Sequence, residues 1–236
     1  MKEKSYLLIG NSRWHWAFRK SNGLDFIDTS IESESLEFLK SALCAWAAVG
    51  KIPSDVNLDP TRKITLTDIP LSNLPPWLGI DRALAAWGAF IKAKQTSSMH
   101  KEGLLIADAG TICSLTLVST SGEFMGGQLI PGIKLQLSAM TQGAQNLKYP
   151  SISSIPHKTF PISTSEAMLQ GSIKALSGAL IEAQKEMNVP IWLCGGDGPL
   201  LIKALEKYKI DIKHHPHLVL EGMINVKEFT NPKTNP

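Results

Sequence analysis

Cysteine is scarce in this 236-residue chain: three residues, Cys44, Cys113 and Cys194, each isolated in an apolar, strand-like stretch. That spacing makes neither a disulfide framework nor a zinc cluster, and buried thiols are the expectation. No apolar run approaches the length that spans a bilayer, and the start, "MKEKSYLLIGNS", has no long hydrophobic core or cleavage site of a leader. Charge of one sign is also missing, with 24 Lys+Arg against 21 Asp+Glu for a net +3 and no basic stripe interleaved with aromatics, which argues against nucleic acid and membrane partners. Neither G-x-x-x-x-G-K-[ST] nor G-x-G-x-x-G occurs, so the two commonest nucleotide-binding signatures are absent. The expectation is a soluble, cytosolic protein, whose 43% hydrophobic content supports a substantial core.

Periodicity predicts strands at 5–9, 13–19, 24–30, 45–49, 63–67, 103–107, 111–119, 123–130 and 190–194. Helices are expected at 33–41, 81–94, 132–142, 164–187 and 198–208, the fourth opened by Ser163 and Glu166 at capping-box spacing. The Pro/Ser-rich stretch 146–163 is too long for an idle connection and reads as a candidate substrate loop, while the chain from about 226 reads as disordered. "LLIGN" (7–11) and "IADAGT" (106–111) share a plan of apolar strand, glycine turn and returning strand. Superposing Gly10 on Gly110 sets Leu8 opposite Asp108 and Asn11 opposite Thr111, which suggests a duplicated architecture.

Asp108 is the first residue that asks for a function. It ends a buried apolar strand, and an unpaired buried carboxylate is costly, so it should meet a cation, donors or a substrate. Ala109-Gly110-Thr111 behind it frees backbone N–H groups to face an anion. Gly10-Asn11-Ser12, Gly126-Gly127 and Gly195-Gly196-Asp197-Gly198 repeat the theme, each behind a strand, and together resemble a nucleotide cradle. In "GIDRALAAWGAF" (79–90), Asp81 and Arg82 either cap and solvate a helix start or pair a base with an anion-holding guanidinium. The second reading suits a small substrate with a carboxylate and a hydroxyl. The "HHPH" segment (His214, His215, His217) lacks a carboxylate or cysteine nearby in sequence, which argues against a metal site. Trp14 and Trp16, flanking His15 at strand spacing, are expected to share a packed face.

The ordered set "IGNS", "GIDR", "DAGT", "GEFMGGQLIPGI", "TSEAMLQG" and "LCGGDG" resembles the type III pantothenate kinases, also called Bvg accessory factor-like, over about residues 6–223. The resemblance implies an α/β, actin/hexokinase-like (ASKHA) duplicated two-domain fold with a central nucleotide cleft, divided here at 1–102 and 103–225, with 226–236 a disordered tail. It implies ATP-dependent phosphorylation of pantothenate to 4′-phosphopantothenate, the first step of coenzyme A biosynthesis, by a homodimer using Mg²⁺ and a monovalent cation, K⁺ or NH₄⁺. Carried over by motif, Gly79, Ile80, Asp81, Arg82 and Thr164 would meet pantothenate, with Asp81 the general base. Gly10, Asn11, Ser12, Thr111, Gly195 and Gly196 would meet ATP, and Asp108 the metal. Three positions depart from the family pattern: Leu8 replaces an aspartate of the first loop, Thr116 a second acid, and Ser72 an aromatic whose place Trp77 is expected to take. A kinase of the same superfamily acting on another hydroxy acid, or a non-catalytic regulatory relative, are the alternatives.

Overall fold

The structure, a computed structural model, describes residues 4–30, 42–152 and 154–230, so the helix expected at 33–41 lies outside the described residues. The chain divides into two compact units, 1–99 with 121–125 and 217–236, and 100–120 with 126–216. The expected division did not foresee that the C-terminal segment and a short piece after residue 120 belong with the first unit.

The first unit is built on β1 (Lys4–Ile9), β2 (Trp14–Lys20), β3 (Gly23–Thr29) and β4 (Ala42–Ala48), in the order β3-β2-β1-β4. β1, β2 and β3 form an antiparallel meander, and β4 runs parallel to β1. Alternation sends Leu7, Ile9, Trp14, Trp16, Phe18 and Trp46 into one apolar layer. The expected indole pair is there, with Trp14 and Trp16 centroids 6.3 Å apart. On α1 (Ile80–Gln95) lies α5 (Leu218–Thr230), which also touches β1, β2 and β4.

Two glycines explain how closely these helices cross. A Cβ on Gly222 would strike the Leu84 carbonyl, and one on Gly88 the Leu218 carbonyl. Residues 226–230, expected to be disordered, instead complete α5, with Val226 buried and Phe229 edge-on to Trp87 at 5.9 Å. The expected strand 63–67 is also corrected. Lys63 makes a single bridge to Trp46, and then Leu66–Asp68 turns into a 3₁₀ helix because the Asp68 carboxylate accepts from the Thr65 N–H at 2.8 Å.

The second unit carries β5 (Leu104–Ala109), β6 (Ile112–Val118), β7 (Phe124–Pro131), β8 (Ile191–Cys194) and β9 (Ile212–His214), ordered β7-β6-β5-β8-β9. Again an antiparallel hairpin, β5–β6, precedes a strand added parallel to its first member, β8 on β5. The two units thus repeat one plan, as the echo of the two glycine turns predicts. Leu105, Ala107, Leu115, Ile191 and Leu193 pack against α2 (Ile133–Gly143), α3 (Thr164–Met187) and α4 (Gly198–Leu205). α3 begins as expected: Ser163 Oγ accepts the Glu166 N–H at 3.3 Å. α4 ends at Leu205, short of the expected 208, and Tyr208 instead accepts from Lys174 Nζ at 2.7 Å. No helix among the described residues is long and apolar enough to cross a membrane.

Candidate functional site

In the first unit the Gly10-Asn11-Ser12 turn sits where β1 leaves the core. It is closed by Gly10 N–H donating to the Arg13 carbonyl at 2.9 Å, with Asn11 and Ser12 exposed. Gly10 has no room for a side chain, since a Cβ would lie 2.8 Å from that carbonyl and 3.2 Å from His15 Nε2. Gly50 packs on the turn from the other side. Leu8 is 5% exposed, between Ala47 on β4 and His15 on β2.

The Gly79–Arg82 corner overturns the capping reading of Asp81. Gly79 is the N-cap of α1, and Asp81 lies inside the first turn, where its Oδ1 accepts the Arg82 N–H at 2.8 Å. Gly79 leaves room for that carboxylate, because a Cβ there would meet Asp81 Oδ1 at 2.6 Å. Arg82 is 8% exposed, far from the solvated residue of the bland alternative. Burial pushes the Asp81 carboxyl above the ordinary range, opposed by the Arg82 N–H and charge, its own N–H and His15. Burial likewise lowers Arg82, and Asp81 restores part of it. A half-buried carboxylate beside a buried guanidinium at a helix N-terminus can hold an anion and take a proton from a neighbouring hydroxyl. Ile80 is buried beneath this corner. Trp77 is 71% exposed, and Ser72 is tied into a bridge with Glu123.

In the second unit three segments converge on the end of β5. Asp108 pairs in register with Ser114 on β6 and Cys194 on β8. Gly195, at φ +88°, passes over it: a Cβ there would lie 2.5 Å from Asp108 Oδ1 and from the Ala109 carbonyl. Asp197 N–H donates to that same carbonyl at 2.9 Å, pinning the Gly195–Gly198 turn to β5. From the opposite side Gly132, the N-cap of α2, donates to the Thr111 carbonyl at 2.9 Å and leaves no space for a Cβ. Thr111 is exposed at the tip. Asp108 and Asp197 both act on buried Cys113, whose thiol is pushed up to about 12, first by burial and then by the two carboxylates. Asp197 is therefore a second acid of this turn. The "GGDG" motif carried the signal, but only its glycines were read as functional.

Thr164 is exposed in the first turn of α3. Next to it the 146–163 stretch, irregular throughout its described residues, folds Ser151, Ile155 and His157 over Ser165 and Glu166 around a hollow of about 100 Å³. Thr116 is 2% exposed within β6. The histidines of "HHPH" go separate ways: His214 Nε2 lies against Gly198, His215 stacks on Trp192 at 5.0 Å, and His217 stacks on Phe26 at 3.9 Å. Among the described residues no group of three or more His, Cys, Asp or Glu is arranged to hold a metal.

Residues 66–186 match the model of the type III pantothenate kinase family. A type III pantothenate kinase from Synechococcus elongatus is 32% identical over 92% of this chain and 93% of its own. Among solved structures, a Baf family protein from Campylobacter jejuni superposes with a TM-score of 0.63 at 20% identity, covering 98% of this chain and 100% of that one. A glucokinase from Balamuthia mandrillaris superposes at 0.53 and 11% identity, covering 96% and 94%. The fold is accordingly actin/hexokinase-like. A family model spanning half of the sequence and a relative aligned along nearly all of it leave one assignment: the chain belongs to the type III pantothenate kinase family.

Proposed function

We infer that this protein transfers the terminal phosphoryl group of ATP to the primary hydroxyl of pantothenate, yielding 4′-phosphopantothenate for coenzyme A biosynthesis in the cytoplasm. The observation that carries the reading is the buried Asp81–Arg82 corner at the start of α1, in a chain of this family. Pantothenate offers what that corner takes, a carboxylate for Arg82 and a hydroxyl proton for Asp81, with Gly79 and Ile80 shaping the backbone around it. Thr164 is assigned to the same substrate. With Gly10 shaping the first turn, the exposed backbone and hydroxyl groups of Asn11, Ser12 and Thr111 would serve the phosphates, and the open turn at Gly195 and Gly196 the nucleoside.

Mg²⁺ fits the second unit's turn, because it keeps most of its waters and takes only one or two protein carboxylates beside nucleotide phosphates. Asp108, with Asp197 on the turn that its N–H pins to the Ala109 carbonyl, would be that complement. The bound cation would supply neutralisation of charge on the transferring phosphoryl group. Thr116 gives a buried hydroxyl where a second acid would stand, so no step is assigned to K⁺ or NH₄⁺.

The homodimer belongs to the same reading. Gly171, Ala175 and Gly178 lie along one exposed stripe of α3, and among the described residues nothing comes within 4 Å of a Cβ on either glycine. The stripe borders an apolar groove of about 400 Å³ lined by Leu135, Ala139, Met140 and Met168, suited to a helix of a second copy. ATP consumption measured against a panel of hydroxy acids tests the substrate assignment. Selective turnover of pantothenate is expected, and preference for another acid would move the protein to a different kinase of this fold.

A further inference from the structure

Away from the glycine turns, α3 and the segment after α4 gather positive charge around one phenol. Tyr208 stands just past the end of α4, tied by its N–H to the Leu205 carbonyl at 2.8 Å. Lys174 of α3 donates to its phenol oxygen at 2.7 Å. Two ammonium groups lie close to the ring, Lys174 Nζ at 5.1 Å and Lys207 Nζ at 5.3 Å from its centre. Among the described residues neither lysine has a salt bridge, and Glu206, the acid adjoining Lys207 in sequence, pairs with neither. Ammonium groups gathered in this way destabilise one another unless an anion screens them. The phenol oxygen accepts from Lys174, so its own O–H is left to donate elsewhere. The Lys174 hydrogen bond, ahead of the charges of Lys174 and Lys207, holds this phenol below its ordinary range.

A second feature of α3 points to the same place. Gln170 and Ser177 stand one turn to either side of Lys174, four residues before it and three after, on the same flank of the helix. Gln170 is 7% exposed and Ser177 2%, yet among the described residues Gln170 Oε1 and Ser177 Oγ meet no hydrogen-bonding partner. Buried polar atoms of this kind are costly unless a bound molecule or its waters serve them.

We propose that Lys174, Lys207 and Tyr208 form a binding site for a phosphate dianion, free or carried on a small monoester, between α3 and the segment after α4. Two ammonium groups match the two negative charges, and the phenol O–H adds a directed donor. A tetrahedral anion has oxygens enough for all three, whereas a carboxylate brings one charge and two oxygens. Waters held by the anion serve Gln170 and Ser177 on either side. Occupancy braces the end of α4 against α3. None of these residues has a part in the Asp81 or Asp108 sites.

The test is calorimetric titration of the full chain with inorganic phosphate and, separately, with glycerol 3-phosphate, at an ionic strength matched with chloride. Saturable binding is expected. Tighter binding of inorganic phosphate assigns the site to the free anion, and tighter binding of the ester assigns it to a monoester. Lys174→Gln and Lys207→Gln should each weaken binding about tenfold or more, and Tyr208→Phe about threefold, with KM for ATP and for pantothenate unchanged. The unmodified protein gives a second readout. A bound dianion opposes formation of the phenolate, so phosphate should move one of the three tyrosine ionisations to higher pH, and that step should vanish in Tyr208→Phe. No saturable binding above that of chloride, binding that survives both lysine substitutions, or tyrosine ionisation indifferent to phosphate overturns the proposal. Weaker phosphate binding accompanied by a raised KM for ATP also overturns it, since the anion would then belong to the nucleotide site.

Discussion

Gly195 and Asp108 are in contact at the ends of two parallel strands: a Cβ on Gly195 would lie 2.5 Å from Asp108 Oδ1. β5 and β8 set Asp108 beside Cys194, so the next residue must turn directly over the carboxylate, at φ +88°. Gly195→Ala meets both a left-handed backbone and a clash with backbone and carboxylate. It should cost about 2–4 kcal/mol of stability and weaken nucleotide binding in the folded fraction. Thermal unfolding with and without Mg²⁺-ATP measures both. A wild-type melting temperature would mean that the Gly195–Gly198 turn lies elsewhere.

Gly222→Ala pushes a methyl group into the Leu84 carbonyl, forcing α5 off α1. A loss of about 1–3 kcal/mol is expected from denaturant unfolding. The Lys92–Glu221 pair, 2.8 Å apart on the same helices, should loosen with it. An unaffected midpoint would contradict the close crossing.

At the α1 corner, Asp81→Asn preserves shape and the Arg82 N–H acceptor while removing the base. Turnover should fall ~10²–10⁴-fold with ATP binding retained. Arg82→Lys should raise KM for pantothenate far more than for ATP, because an ammonium lacks the planar fork. Steady-state kinetics on both substrates separate these outcomes from simple unfolding.

Leu8→Asp tests whether the missing first-loop acid can be restored. At 5% exposure, packed between Ala47 and His15, the new carboxylate should destabilise the fold by about 2–4 kcal/mol, with the His15 ring offsetting only part. KM for ATP across a magnesium titration should not improve. Tighter Mg²⁺-ATP affinity with intact stability would show that position 8 reaches the phosphates.

The dimer is tested on the exposed stripe of α3. Ala175 is exposed, so Ala175→Arg should hardly change the melting behaviour of the isolated protomer while association weakens. Sedimentation at micromolar concentration should give a dimer for the wild type and a monomer for the variant. A wild-type monomer would remove the proposal.

Much of this was legible in the sequence because strand alternation and glycine punctuation are local. β1–β2, β5–β6, and the long α3 with its Ser163 cap lie within a residue or two of where the pattern puts them. What escaped depends on contacts distant in sequence. α5 contains Gly222, which α1 needs at the crossing, and its end reads as disordered because the residues it packs on lie more than a hundred positions earlier. His15 reads as a spacer between two tryptophans until β3 brings Asp28 beside it. Asp197 reads as turn chemistry until β8 lays it next to β5.

The most direct test of the central claim is ³¹P NMR of the purified protein with ATP, Mg²⁺ and pantothenate. The account predicts a new phosphomonoester resonance, that of 4′-phosphopantothenate, growing one-for-one with ADP and lost in Asp81→Asn. ATP left intact, or hydrolysed to inorganic phosphate with no phosphomonoester formed, would contradict it.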